Sequence, residues 1–392
     1  MRNPLSKTIE QIKPSGIRKF FDIVSEMPHA ISLGVGEPDF DTPWHVRSEG
    51  IRSLEKGRTF YTSNSGLIEL RQEICKWYQR KYNVLYDYKT EALLTVGGSE
   101  GIDVALRAML DPGDEVIIPE PCYVSYVPCV QLIGAVPVTI ELKNENQFRL
   151  TPEELLAAIT DKTKILILAF PSNPTGAVMT KEDLEPIAKI CQEKDIYVIS
   201  DEIYSELTYG GQKHCSISSL PGMKERTIVI NGFSKAYAMT GWRLGYALAP
   251  EVIAHQMTKI HQFAIMCAPT TSQYAAIEAI KNGDADIEKM CKSYDQRRRF
   301  LLKKFEEIGL PCFEPHGAFY VFPCIKEFGI TSDEFATRLL REEKLAVVPG
   351  TAFGDCGEGF LRISYAYSIE QLKEAMGRLE RFIGRLREQK TC

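Results

Sequence analysis

Short apolar runs alternate with amphipathic stretches through the middle of the chain. Runs at 92–96, 115–119, 136–140, 165–170, 196–200 and 227–231 have strand length, and a further apolar strand is expected at 244–249. Between them, 101–110, about 125–133 and 180–194 carry the wider period of helices. The first of these stops at Asp111-Pro112-Gly113-Asp114, and the last opens at Thr180, with Asp183 placed to complete a capping-box-like pair. Continuous apolar strands separated by helices predict an α/β fold, with a largely parallel sheet covered by helices on both faces.

The flanks follow another pattern. A charged helix is expected over 294–308, and short strands at 318–322 and 361–364 then mix with helices in an α+β arrangement. The 392 residues exceed what one growing core holds, so more than one domain is expected. The division read here is a large domain at 46–287 and a smaller one made of 1–45 with 288–392.

Apolar content of 44% and charged content of 25% are ordinary for a globular enzyme. With a net charge of −5 and scattered basic residues, no nucleic-acid partner is expected. No apolar run approaches membrane-spanning length, and 1–16 has no apolar core of signal-peptide length. The 11 cysteines form no C-x-x-C pair, and many lie in apolar runs. They read as free thiols of a cytoplasmic protein with neither disulfides nor a metal.

Ligands of open parallel sheets bind at the carboxyl ends of strands. Five polar clusters fall there: Gly97-Gly98-Ser99-Glu100, Glu120-Pro121-Cys122-Tyr123, the segment from Pro171 to Gly176, Asp201-Glu202-Ile203-Tyr204, and Gly232-Phe233-Ser234-Lys235. The first opens a helix with exposed N–H groups and a hydroxyl, which suits a phosphate as well as it suits a plain cap. In Ser234 to Arg243, the amine of Lys235 can form an imine with a carbonyl and Arg243 can clamp a phosphate dianion. That pair suits pyridoxal 5′-phosphate, although alone it equally fits a surface loop with two solvated cations. Asp201 ends an apolar strand, where it can keep a pyridine nitrogen protonated or cap a helix. A magnesium-binding role would need a G-x-x-x-x-G-K-[ST] loop, and the chain has none. Tyr204 and Asn173 can hold a ring oxygen, and Tyr123 can stack on a ring; packing and turn roles stand beside each. Gly34-Val35-Gly36 begins a dinucleotide fingerprint that fails at Asp39. Arg362 is either an inward clamp for a carboxylate or a cation on a strand edge.

Asn173-Pro174-Thr175-Gly176, Asp201-Glu202-Ile203-Tyr204 and the run from Ser234 to Arg243, in this order and spacing, resemble the class I/II aminotransferases of fold-type I pyridoxal-phosphate enzymes, the aspartate aminotransferase-like group. The resemblance runs from Gly36-Glu37-Pro38-Asp39-Phe40 to Arg362. It implies a seven-stranded large domain and a homodimer with active sites at the subunit boundary. It implies Lys235 as imine lysine, Asp201 on the pyridine nitrogen, and Tyr204 and Asn173 on the ring oxygen. Arg243, Ser99 and Ser234 are implied on the phosphate together with Gly98 and Glu100, and Tyr61 on the neighbouring subunit's phosphate. Tyr123 stacks on the ring and borders the substrate, whose carboxylate Gly36, Asn173 and Arg362 contact. Two positions depart from the pattern: Tyr123 stands where tryptophan or phenylalanine is frequent, and Gly232 where some relatives have serine. The implied reaction is ping-pong transfer from an L-amino acid, aspartate or an aromatic or aliphatic one, to a 2-oxo acid such as 2-oxoglutarate. A C–S β-lyase shares the same ring contacts. A non-catalytic regulator domain would need an attached DNA-binding module. Arg18 and Lys19, beside Phe20 and Phe21, are candidates for selecting the donor side chain or form an ordinary amphipathic helix.

Overall fold

The computed structural model describes residues 2–12, 14 and 27–391. After a short strand, β1 (Ile31–Ser32), seven strands build the central sheet: β2 (Ala92–Thr95), β3 (Glu115–Glu120), β4 (Val136–Glu141), β5 (Thr163–Ala169), β6 (Tyr197–Asp201), β7 (Thr227–Gly232) and β8 (Gly245–Leu248). Their order is β2-β8-β7-β6-β5-β3-β4. Strand β8 runs antiparallel to both neighbours, and the remaining pairings are parallel. The inner strands β7 and β8 are buried at every residue, which explains their unbroken apolar character. The edge strand β4 is exposed at half of its six positions and reads as more polar for that reason.

Helices cover the sheet, and their ends are set by local chemistry. In the helix Lys181–Glu193, Thr180 N–H donates to Asp183 Oδ2 at 2.8 Å and Asp183 N–H to Thr180 Oγ1 at 3.3 Å, closing the expected capping box. The helix expected from residue 101 begins earlier, at Gly97, and runs to Met109. Gly97 turns the chain sharply out of β2 with a φ of +74°. Gly101 then lets the helix lie on β7: a Cβ there would stand 3.2 Å from Ile230. The polar cluster at 97–100 is thus the first turn of a helix.

The later part of the chain centres on the helix Asp284–Ile308, which starts ten residues before the expected 294 and ends at Gly309 with a φ of +68°. Three short strands, β9 (Tyr320–Val321), β11 (Val348–Pro349) and β12 (Leu361–Ser364), form an antiparallel sheet in the order β11-β12-β9. The strand expected at 318–322 is shortened because Ala318 adopts a φ of +56°. Strand β1 pairs in parallel with β10 (Leu345–Ala346), so residues 31–32 join this part of the molecule. Phe305, Phe335, Leu339, Leu379 and Phe382 are buried in one cluster beneath the helices Ser332–Glu343 and Ile369–Thr391. Each such side chain contributes roughly 1.5–3 kcal/mol of burial free energy. Among the described residues no helix is long and apolar enough to cross a membrane.

Candidate active site

The carboxyl ends of β3, β5, β6 and β7 and the start of the helix Gly97–Met109 open on a cavity of about 370 Å³. The expected residues Gly36, Gly98, Ser99, Tyr123, Asn173, Asp201, Tyr204, Ser234, Lys235, Arg243 and Arg362 all line it. Tyr123, Asn173, Asp201, Tyr204, Ser234 and Lys235 come from separate strand ends because parallel strands deliver their carboxyl termini to one rim, whereas Gly36, Arg243 and Arg362 reach it from other segments.

Lys235 follows β7, and its Nζ donates to Gly36 O at 2.6 Å. Burial, reinforced by Arg362 and Arg243 and opposed by Glu37 and Asp201, pushes its amine down to about 8. Roughly a tenth of this amine is therefore neutral and nucleophilic at pH 7, several hundred-fold more than for an ordinary lysine, which favours imine chemistry. Asp201, the last residue of β6, accepts from Tyr126 OH at 2.7 Å and from Ile203 N–H at 3.1 Å. Burial raises its carboxyl above the ordinary range, against those two hydrogen bonds. Its neighbour Glu202 turns the other way, into the core, where it is fully buried. There it accepts from Ser200 Oγ at 3.0 Å, Ser216 Oγ at 2.5 Å and Tyr78 OH at 3.1 Å.

Arg243 has a φ of +53° and donates through Nη1 to Thr240 O at 3.1 Å. A Cβ on Gly97 would lie 2.5 Å from its Nη2, so the missing side chain lets the guanidinium rest against the helix start. On the same cavity wall, Arg362 Nη1 donates to Asn173 Oδ1 at 2.9 Å and Nη2 to Gly34 O. The Tyr320 and Phe353 rings lie 4.6 and 4.7 Å from its central carbon. This buried, flattened guanidinium keeps its Nε without a partner. Tyr204 OH and Tyr320 OH share a 2.8 Å hydrogen bond, and a Cβ on Gly36 would collide with the Tyr320 hydroxyl.

Two expected residues lie apart from the cavity wall. Glu100 turns its carboxylate back to Val96 N–H and to His261 Nδ1, the latter at 2.6 Å, leaving only its backbone facing the helix start. The side chain is spent on the orphan Val96 N–H of the helix start and on the His261 ring of a neighbouring helix. Tyr61 is 80% exposed. Arg18, Lys19, Phe20 and Phe21 lie outside the described residues. Sequence reasoning missed Tyr126, Tyr320 and Phe353. Tyr126 stands three residues after Tyr123, a helical spacing that could have found it; Tyr320 and Phe353 carry no such signal.

The donor set suits a phosphorylated aldehyde. Two cations, Arg243 and Arg362, line one cavity together with the Lys235 amine and the buried Asp201 carboxyl. That arrangement can hold a phosphate dianion at Arg243, a carboxylate at Arg362, and a pyridinium at Asp201.

Residues 28–379 match the family described as aminotransferase class I and II. An aspartate aminotransferase of Pyrococcus abyssi is 47% identical over 98% of this chain and 99% of its own length. An aromatic-amino-acid aminotransferase of Thermococcus litoralis is 45% identical over 97% of this chain and 98% of its own. Among solved structures, the aromatic aminotransferase of Pyrococcus horikoshii superposes with a TM-score of 0.90 at 46% identity, over 96% of this chain and 100% of that one. The Thermus thermophilus aspartate aminotransferase with maleate gives 0.93 at 38%, over 97% and 100%.

Proposed function

The chain belongs to the class I and II aminotransferases, whose members use pyridoxal 5′-phosphate, and we propose that it moves the amino group of an L-amino acid to 2-oxoglutarate with Lys235 as covalent anchor and proton carrier. The bound cofactor supplies a carbonyl that takes up the amino group and a ring that withdraws charge from the substrate α-carbon. Asp201, held in place by Tyr126, would keep the ring nitrogen protonated. Asn173 and Tyr204 would donate to the ring oxygen, and Tyr123 would offer its face to the ring. Arg243, Ser99 and Ser234, with the backbone N–H groups of Gly98 and Glu100, hold the phosphate at the positive end of the helix. Arg362, with Asn173 and the backbone at Gly36, orients the substrate carboxylate. Lys235, whose amine lines the same cavity, would carry the α-proton of a bound substrate.

The observation that carries this reading is the single cavity shared by a depressed lysine, a buried carboxylate and two arginines. The relatives are named for aspartate and for aromatic amino acids, and the donor lies within that range or among aliphatic ones. Exposed Phe60, Tyr61 and Phe263 support a homodimer in which Tyr61 serves the partner's phosphate. Asn64 and Thr270 tie their segments together through 2.9 and 2.8 Å hydrogen bonds to Met266 O and Phe60 O. An apolar patch of this kind marks a protein interface. The reading keeps a large unit at 46–287 and a smaller one of 1–45 with 288–392. It places the enzyme in the cytoplasm, consistent with the ten free cysteines among the described residues.

A panel of L-amino acids with 2-oxoglutarate, read as glutamate formed, tests the activity and identifies the donor. Glutamate from aspartate or from an aromatic or aliphatic donor is the expected result. Pyruvate and ammonia from a cysteine conjugate without any oxo acid, and no glutamate from the panel, would replace transfer by β-elimination.

A further inference from the structure

Glu120 closes β3 at the same rim, yet the cavity wall makes no use of its side chain. Its carboxyl lies against the turn 350–357: a Cβ on Gly354, whose φ is +129°, would stand 2.5 Å from Glu120 Oε2. Two residues on, Cys122 N–H donates to Phe353 O at 2.9 Å, so the segment after β3 grips the turn twice. The turn follows β11, whose Val348 is paired with Arg362, and it carries the Phe353 ring that covers the Arg362 guanidinium.

We propose that Glu120 is a positioning residue for the substrate carboxylate: it seats the 350–357 turn, and the turn holds Phe353 on Arg362. The inference rests on the assignment of Arg362 to that carboxylate. The charged neighbour facing Glu120 is Asp355 of the turn, and the thiols Cys122 and Cys356 complete the titratable surroundings, with Glu141 of β4 acting on Cys356. Burial, then Asp355, pushes the Glu120 carboxyl from its ordinary 4.5 up to about 7. The sign follows. A seated carboxyl that prefers its proton favours the seated turn at low pH, and this advantage fades as pH rises toward and past 7. Ionised Glu120 would be half-desolvated and would face a second carboxylate.

The test uses the holoenzyme and compares wild type with Glu120→Gln, which keeps the shape and stays neutral. Between pH 6 and pH 8 the KM for the amino donor of the wild type should rise about 3- to 10-fold in excess of any rise in Glu120→Gln, with kcat alike in both. Identical KM profiles overturn the proposal, as does a difference carried by kcat alone. Arg362→Lys in the same assay checks the underlying assignment: an unchanged KM there removes the carboxylate role, whatever Glu120 does. Hydrogen exchange at the 353–357 amides, corrected for intrinsic rate, supplies a second measurement. Protection should fall from pH 6 to pH 8 in wild type and hold in Glu120→Gln. Equal loss in both overturns the control of the turn, and a wild type with constant protection does so even if the variant does not fold.

Discussion

Two parts of the cavity wall are built differently. The part proposed to hold the cofactor is the rim of the seven-stranded sheet: Asp201 ends β6, Lys235 follows β7, and Gly98 and Ser99 open a helix directly after β2. Each is fixed by a buried strand a few residues away. The part around Arg362, proposed for the substrate carboxylate, is assembled from remote pieces. Arg362 sits on a four-residue strand, is covered by Tyr320 and Phe353, and is anchored to Gly34 and Asn173. The first part is a scaffold that presents side chains. The second is a clamp whose shape depends on several side chains holding one another, so changes to it should be graded.

Substitutions can break this contrast. Lys235→Ala should have the largest effect, lowering turnover by at least about 10⁴-fold because it removes both nucleophile and proton carrier. After borohydride treatment the intact mass should gain the cofactor in wild type and not in the variant; a gain in the variant would mean that another lysine serves. Arg362→Lys comes next, with kcat/KM down about 100-fold and the loss carried mainly by KM, since a lysine cannot reproduce the flat, stacked, two-pronged donor. A loss carried by kcat would erase the distinction between scaffold and clamp. Tyr126→Phe should be smallest. It removes one 2.7 Å hydrogen bond to Asp201 while leaving the ring. Loss of one such bond corresponds to about 1–1.4 kcal/mol, or about 5- to 10-fold weaker cofactor binding in a titration of the apoenzyme. Unaltered binding would show that Asp201 is held by its strand alone.

The same contrast explains what the chain revealed before folding. The central strands are buried on both faces, so their apolar runs were readable, and the capping box at Thr180 announced its helix. The rim clusters were readable because strand ends in a parallel sheet converge. Tyr320 and Phe353 were not, because two-residue strands and a 3₁₀ turn have no period to read and their roles come from contacts with a distant arginine. At Glu100 only the backbone can serve the expected site: the helix start turns its carboxylate to Val96 N–H and to His261 Nδ1. Beginning the helix at 101 reflects the three glycines in its first turns, which resemble a loop until Ile230 is packed against them.

Asp201 and Glu202 are adjacent, and one looks into the cavity while the other looks into a cage of hydroxyls. A single peptide unit thus links the wall that a bound chromophore would touch to a side chain fully sealed in the interior. Loosening the cage from behind, at Tyr78 or Ser216, shifts the seat of Asp201 without altering any atom of the cavity lining. The colour of the bound cofactor then becomes a gauge of the interior, registering a slackened core while the enzyme is still folded.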